Sequence, residues 1–229
     1  LKDATLAVWA IAEVVDPEVM NGINAYDWDI MLKRHDRMRH AVLSFKENRP
    51  YPVEGLHIAA IGDMVTGDIH DELRVTNEKV AAEASTQLGL DMAEWVEGFI
   101  PEFPWIQIDC VYGNHGRLTP KPSYKQGFNN WDWVFYNILK QSLTRYDSVR
   151  VNVSRSPHLS VGVFDRRILL WHGDGVRTTM PGVAWGGITR RTRELEQQYA
   201  AIGQPIDHFE IGHWHTINIV ERGRILMNG

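Results

Sequence analysis

The chain has almost no cysteine: Cys110 is the only one in 229 residues. An intrachain disulfide is therefore excluded, and packing rather than cross-linking must hold the fold. Cys110 lies in the apolar run Ile106 to Tyr112, where it reads as a small buried hydrophobe in a reducing compartment. Long apolar runs are missing too, since none approaches the ~20 residues that a membrane-spanning helix needs. The first residues do not read as a signal peptide, because Glu13 and Asp16 interrupt the apolar part and no small-residue cleavage site follows. The expectation is a cytoplasmic protein with no membrane partner. A strong excess of one charge is also absent. The formal net charge of −5 gives no electrostatic reason for a nucleic-acid coat. It does not exclude nucleic acid, because a metal site supplies positive charge locally.

What is present is ordinary for a globular protein: 44% hydrophobic and 23% charged residues, enough for a large core. The length suits a single domain over 1–229. The chain begins without Met and stops at Asn228-Gly229, just after an apparent strand, so both ends read as trimmed.

Periodicity places the elements. Thr5 to Val15 fits a strand or a helix equally. Asp27 to Lys46 reads as a helix whose apolar face carries Met31, His35, Met38, Val42 and Phe45, with His35 as a core histidine. A second helix follows Thr76 as N-cap, with a stripe of Ala81, Ala84, Leu88, Met92, Trp95 and Phe99 that Gly89 could split. Trp131 to Leu143 and Thr189 to Ala201 read as helices, and Met180 to Gly187 as a Gly-rich loop. Strands are expected at Ile58 to Ile61, Trp105 to Tyr112, Val149 to Val153, Leu159 to Val163, Arg167 to Trp171, Phe209 to Gly212, Thr216 to Val220 and Arg224 to Met227. A βα rhythm early and strands late give an α/β sandwich of two sheets flanked by helices.

Four of these strands end on chemistry: Gly62-Asp63, Gly113-Asn114-His115, His172-Gly173-Asp174 and Gly212-His213-Trp214-His215. A buried strand that stops at a carboxylate, amide or imidazole delivers that group to the rim of a sheet. Asp63, Asn114, His172, His213 and His215 offer oxygen and nitrogen but no sulfur, a set suited to Mn, Fe, Zn or Ni rather than Ca. Two divalent ions bridged by a carboxylate such as Asp63 can clamp a phosphoryl group and activate water. The Asn114 carbonyl coordinates without adding charge, which keeps the site attractive to an anion. His115 can then protonate a leaving alkoxide. Arg117 can pair with phosphate oxygens, and Asp174 can accept a hydrogen bond from a ligand imidazole. Lys121, Lys125, Arg177, Arg190 and Arg191 are the basic residues that could line a nucleic-acid path.

These four stretches, in this order, resemble the calcineurin-like metallophosphoesterase superfamily, and most closely its phage-type members, often likened to DNA-repair exonucleases. The resemblance implies a four-layer αββα sandwich of two mixed sheets and a dinuclear centre, manganese being the first choice of metal. It implies that Asp63 bridges the ions, that Asn114, His172 and His213 complete one site, and that His215 belongs to the other. It casts His115 as the catalytic histidine. Two positions depart from that family's pattern. Gly116 stands where an acid is expected, and the opening Asp-x-His is not found. The motif either lies upstream of Leu1, the favoured expectation, or has decayed to Glu13-Val14-Val15. The expected function is a metal-dependent phosphodiesterase or nuclease acting on a phosphate ester such as DNA. The alternatives are a phosphomonoesterase or a non-catalytic metal-binding scaffold.

Overall fold

The computed structural model describes residues 3–6, 14–69, 71, 73–121, 127–176 and 182–228. Strands β1 (Asp3–Leu6), β2 (Leu56–Ile61), β3 (Ile106–Val111) and β4 (Val149–Val153) form one sheet in that order, every pair parallel. Parallel neighbours need crossovers, and helices supply them. α1 (Trp28–Glu47) joins β1 to β2, α2 (Leu73–Thr76) and α3 (Ala81–Glu97) join β2 to β3, and α4 (Trp131–Leu143) joins β3 to β4. The second sheet is mixed. Its order is β5 (His158–Val163), β6 (Arg166–Trp171), β7 (His208–Ile211), β9 (Ile225–Met227) and β8 (Asn218–Val220), and α5 (Trp185–Ala201) makes the parallel crossover from β6 to β7.

Side-chain alternation along these strands builds three apolar layers. Ile58 and Ala60 of β2, with Ile106 and Ile108 of β3, face Leu88, Met92, Phe135 and Leu139 on α3 and α4. Ala59, Ile61 and Val111 point the other way and meet Val161, Ile168 and Leu170 of the second sheet. Leu169, Trp171, Phe209 and Ile211 cover the far face of that sheet, against Ile188 and Leu195 of α5. The architecture is thus the four-layer αββα sandwich that was expected, with its first sheet parallel throughout the described strands. β2 is buried along its whole length because it is covered on both faces, and so its sequence is apolar apart from His57, which pairs with Asp109 of β3.

Several boundaries differ from the sequence expectation. Thr76 closes the short α2, and α3 starts at Ala81 after Val80. Its stripe is buried as expected, and Gly89 does not split it. The missing side chain lets α4 approach, since a Cβ on Gly89 would stand 2.6 Å from Ile138 Cγ2. Trp185, Gly186 and Gly187 begin α5 rather than ending a loop. Phe45 is exposed, with the Arg49 guanidinium stacked over its ring. His35 is buried, and burial lowers its pKa to about 4. Cys110 is fully buried, and burial pushes its thiol well above the ordinary range. No described helix is long and apolar enough to cross a membrane.

Leu170 fills the layer between the sheets with no exposure. Leu170→Ala should lower stability by about 2–5 kcal/mol, read as a shift of the urea midpoint at constant slope.

Candidate metal centre

The four chemistry-bearing strand ends meet at one rim of the sandwich. Asp63 follows β2, Asn114 and His115 follow β3, His172 follows β6 and His213 follows β7. Ligand atoms of Asp63, His172 and His213 all lie within 4.8 Å of one another. Asp63 Oδ2 is 2.9 Å from His172 Nε2, and Asn114 Oδ1 is 3.1 Å from the same nitrogen. The rings of His172 and His213 stand edge to face, with centroids 5.1 Å apart. Each sheet supplies two of the four groups, so the site depends on how the sheets are docked.

Hydrogen-bond direction decides what this cluster can hold. His172 Nδ1 is 2.6 Å from the Ile61 carbonyl, which can only accept, so Nδ1 carries a hydrogen. The lone pair of a neutral His172 is therefore at Nε2, facing the carboxylate of Asp63 and the amide oxygen of Asn114. Three acceptors pointed at one another need a positive charge between them. Either a proton on Nε2 or a metal ion meets that need. Burial works against charging His172, but the Asp63 carboxylate and then Asp174 outweigh it and push its pKa up to about 9. Burial likewise opposes ionisation of Asp63, yet His172 and His115 hold its carboxyl well below the usual range. His213 is lowered to about 4 by burial and by His172, which leaves its imidazole neutral and ready to coordinate.

The backbone here is held under strain. Asp63, His213 and His215 have φ of 52°, 69° and 47°, a region that costs a residue with a Cβ about 1–2 kcal/mol. Non-glycine residues persist there when the surroundings over-determine them, and such outliers concentrate at functional sites.

At Asp63 that over-determination comes from Asp132. It sits in the first turn of α4 with no exposure. Its carboxylate accepts from the backbone N–H groups of Asp63 (2.9 Å), Met64 (3.0 Å), Val65 (3.0 Å) and Gly113 (2.8 Å). One side chain thus ties the turn after β2 to the turn after β3. Burial, and then the negative charge of Asp63, raise its pKa to about 6. One helical turn further on, Tyr136 Oη lies 3.1 Å from the Val111 carbonyl, to which it donates, and accepts from the Gly62 N–H. Asn130 caps the helix through the Asp132 N–H and donates to the Gly113 carbonyl. The two turns are so close that a Cβ on Gly113 would stand 2.2 Å from Asp63 Oδ1. Gly116 has a similar cause: a Cβ there would be 2.3 Å from Asn130 Oδ1, so a larger residue would crowd the helix cap. The sequence reading missed Asp132, Asn130 and Tyr136. An Asn two residues before an Asp at a helix start is a legible cap, but nothing in it names a turn 69 residues earlier.

The remaining expected residues are placed as follows. His115 is half-buried, and its backbone N–H donates to Asp63 Oδ1 at 2.7 Å. Arg117 lines the cleft beside Asn114. Its three nitrogens donate to the carbonyls of Asn114, Thr119 and Pro120, so it shapes the loop after the Asn114 ligand. Asp174 is not the partner of the His172 Nδ1–H, because the Ile61 carbonyl takes that place; it lines the adjoining cleft instead. His215 is exposed and lies outside the cluster. Among the described residues, one group of Asp63, His172 and His213 could hold a metal ion, and His215 is not part of it. β1 is the neighbour of β2 and runs in the same direction, so its end points to the same rim. Ala7-Val8-Trp9 follow it in sequence; they and Glu13 lie outside the described residues.

The His172–Asp63 pair gives metal-free protein a distinct pH dependence. A histidine whose folded pKa is raised from 6.5 to about 9 contributes stability that is full below pH 6.5 and lost as pH rises through 9. Thermal unfolding in chelator should show a loss of up to about 3 kcal/mol across that window, and His172→Ala should flatten it.

No family model matches this chain, and no curated protein matches it; what the rim can do follows from its own side chains.

Proposed function

We propose that this protein is a metal-dependent phosphoesterase of the calcineurin-like kind, cleaving phosphodiesters such as those of nucleic acid. The observation that carries the reading is the convergence of Asp63, Asn114, His172 and His213 on one point, with His115 beside them. Those four groups would hold a divalent ion, and their mixed oxygen and nitrogen donors favour manganese, with iron, zinc or nickel as alternatives. When bound, such an ion supplies Lewis acidity to a phosphoryl oxygen and to water. The second ion of the expected pair would draw on His215.

The chain's own residues do the rest. Asp63, held charged in a buried place, fixes the positive centre at the rim. Asn114 adds an oxygen without cancelling charge, so a phosphate anion is still attracted. Hydrolysis forms a bond from the water oxygen to phosphorus and breaks the ester P–O bond, whose electrons leave with the alkoxide oxygen. His115 gives that oxygen its proton. A general acid of this type contributes roughly 10²–10⁴-fold.

With manganese, the protein should hydrolyse bis(p-nitrophenyl) phosphate. His115→Ala should lower kcat by about 10²–10⁴-fold with metal binding retained, whereas Asp63→Asn should abolish both. Manganese binding without hydrolysis of any mono- or diester would leave the scaffold reading instead, and preference for p-nitrophenyl phosphate would make the protein a phosphomonoesterase.

A further inference from the structure

The two oxygens of the Asp132 carboxylate have separate tasks. Oδ1 accepts from the N–H groups of Met64 and Val65, within the turn after β2. Oδ2 accepts from those of Asp63 (2.9 Å) and Gly113 (2.8 Å), so a single atom joins the turn after β2 to the turn after β3. One turn along α4, the Tyr136 hydroxyl repeats the join. It accepts from the Gly62 N–H and donates to the Val111 carbonyl at the end of β3. Every one of these contacts is to backbone, and neither side chain belongs to the Asp63, His172 and His213 group.

What they hold in place is a carboxylate. Asp63 stands at φ 52°, a conformation that its Cβ disfavours. Its Oδ1 accepts from the His115 N–H at 2.7 Å, and its Oδ2 lies 2.9 Å from His172 Nε2. Released from α4, the Asp63 backbone would relax towards negative φ and swing that carboxylate away from His172. A cation binding there would then have to rebuild the turn, and the cost of rebuilding lowers affinity.

We infer that Asp132 and, one turn on, Tyr136 are positioning residues that set the affinity of the centre for its cation, acting only through the backbone of the two turns. This rests on the metal site of the reading above and adds to it two residues that supply no ligand atom.

Asp132→Asn tests it, because an amide cannot accept on both sides. Whichever way it lies, its NH₂ meets two N–H donors, those of Asp63 and Gly113 or those of Met64 and Val65. The readout is the Kd for Mn²⁺, from electron paramagnetic resonance of the free ion at a temperature where each variant is folded. Asp132→Asn should raise that Kd by about 10–100-fold, the scale seen when the partners behind metal ligands are removed. Leu143→Ala, which removes buried apolar volume at the far end of α4, should lower stability and leave the Kd at its wild-type value. Should Asp132→Asn fail to fold, Tyr136→Phe decides: it keeps the ring, removes the hydroxyl, and should raise the Kd by about tenfold. A wild-type Kd in whichever variant decides, or an equal rise in Leu143→Ala, would overturn the inference by reducing both residues to ordinary stabilisers. Hydrolysis plays no part in this readout, so a protein that binds Mn²⁺ as described and cleaves nothing would sink the phosphoesterase reading alone. Wild-type protein that binds no Mn²⁺ would overturn both.

Discussion

One buried carboxylate holds the rim of this protein together. Asp132 gathers four backbone N–H groups from two turns that belong to different strands, and it does so from the first turn of the helix that follows the second of them. Each of those N–H groups would otherwise be an unsatisfied donor in a place closed to water, at about 1–3 kcal/mol apiece. Binding them fixes Asp63 in a left-handed conformation that its Cβ disfavours and brings it to within hydrogen-bonding distance of His172 on the other sheet. Asp63 and the turn before Asn114 are therefore positioned from behind, by a residue outside the cluster.

The second constraint is the docking of two sheets. Asp63 and Asn114 come from the parallel sheet, His172 and His213 from the mixed one, and the apolar layer of Ala59, Ile61, Val111, Val161, Ile168 and Leu170 packs between them. The His172–Ile61 hydrogen bond crosses the same seam at its open end. Core packing and site geometry are thus one problem: a loss of volume in that layer shifts ligands as well as lowering stability.

Much of this was legible in the sequence, for physical reasons. Strands buried on both faces are rich in apolar residues, so β2, β3 and β6 announced themselves, and the polar residue that followed each strand announced the rim. Helices α1 and α4 carried their own periodicity and caps. What failed was the part that depends on distant approach. The hold of Asp132 on the turn after β2 spans 69 residues, and no local pattern carries it. The Gly186-Gly187 pair suggested a loop because glycine weakens a helix, but the burial of Ile188 and Leu195 outweighed it. Gly116 leaves room for the Asn130 cap, since a Cβ there would stand 2.3 Å from Asn130 Oδ1.

The central claim is that Asp63, Asn114, His172 and His213 form one cation site. Anomalous diffraction at the manganese edge, from crystals soaked in Mn²⁺, tests it most directly. The account predicts a strong peak bonded to a carboxylate oxygen of Asp63, Oδ1 of Asn114, Nε2 of His172 and a ring nitrogen of His213, with the His172–Asp63 hydrogen bond gone. Ions bound only elsewhere on the surface, with that hydrogen bond intact, would contradict it.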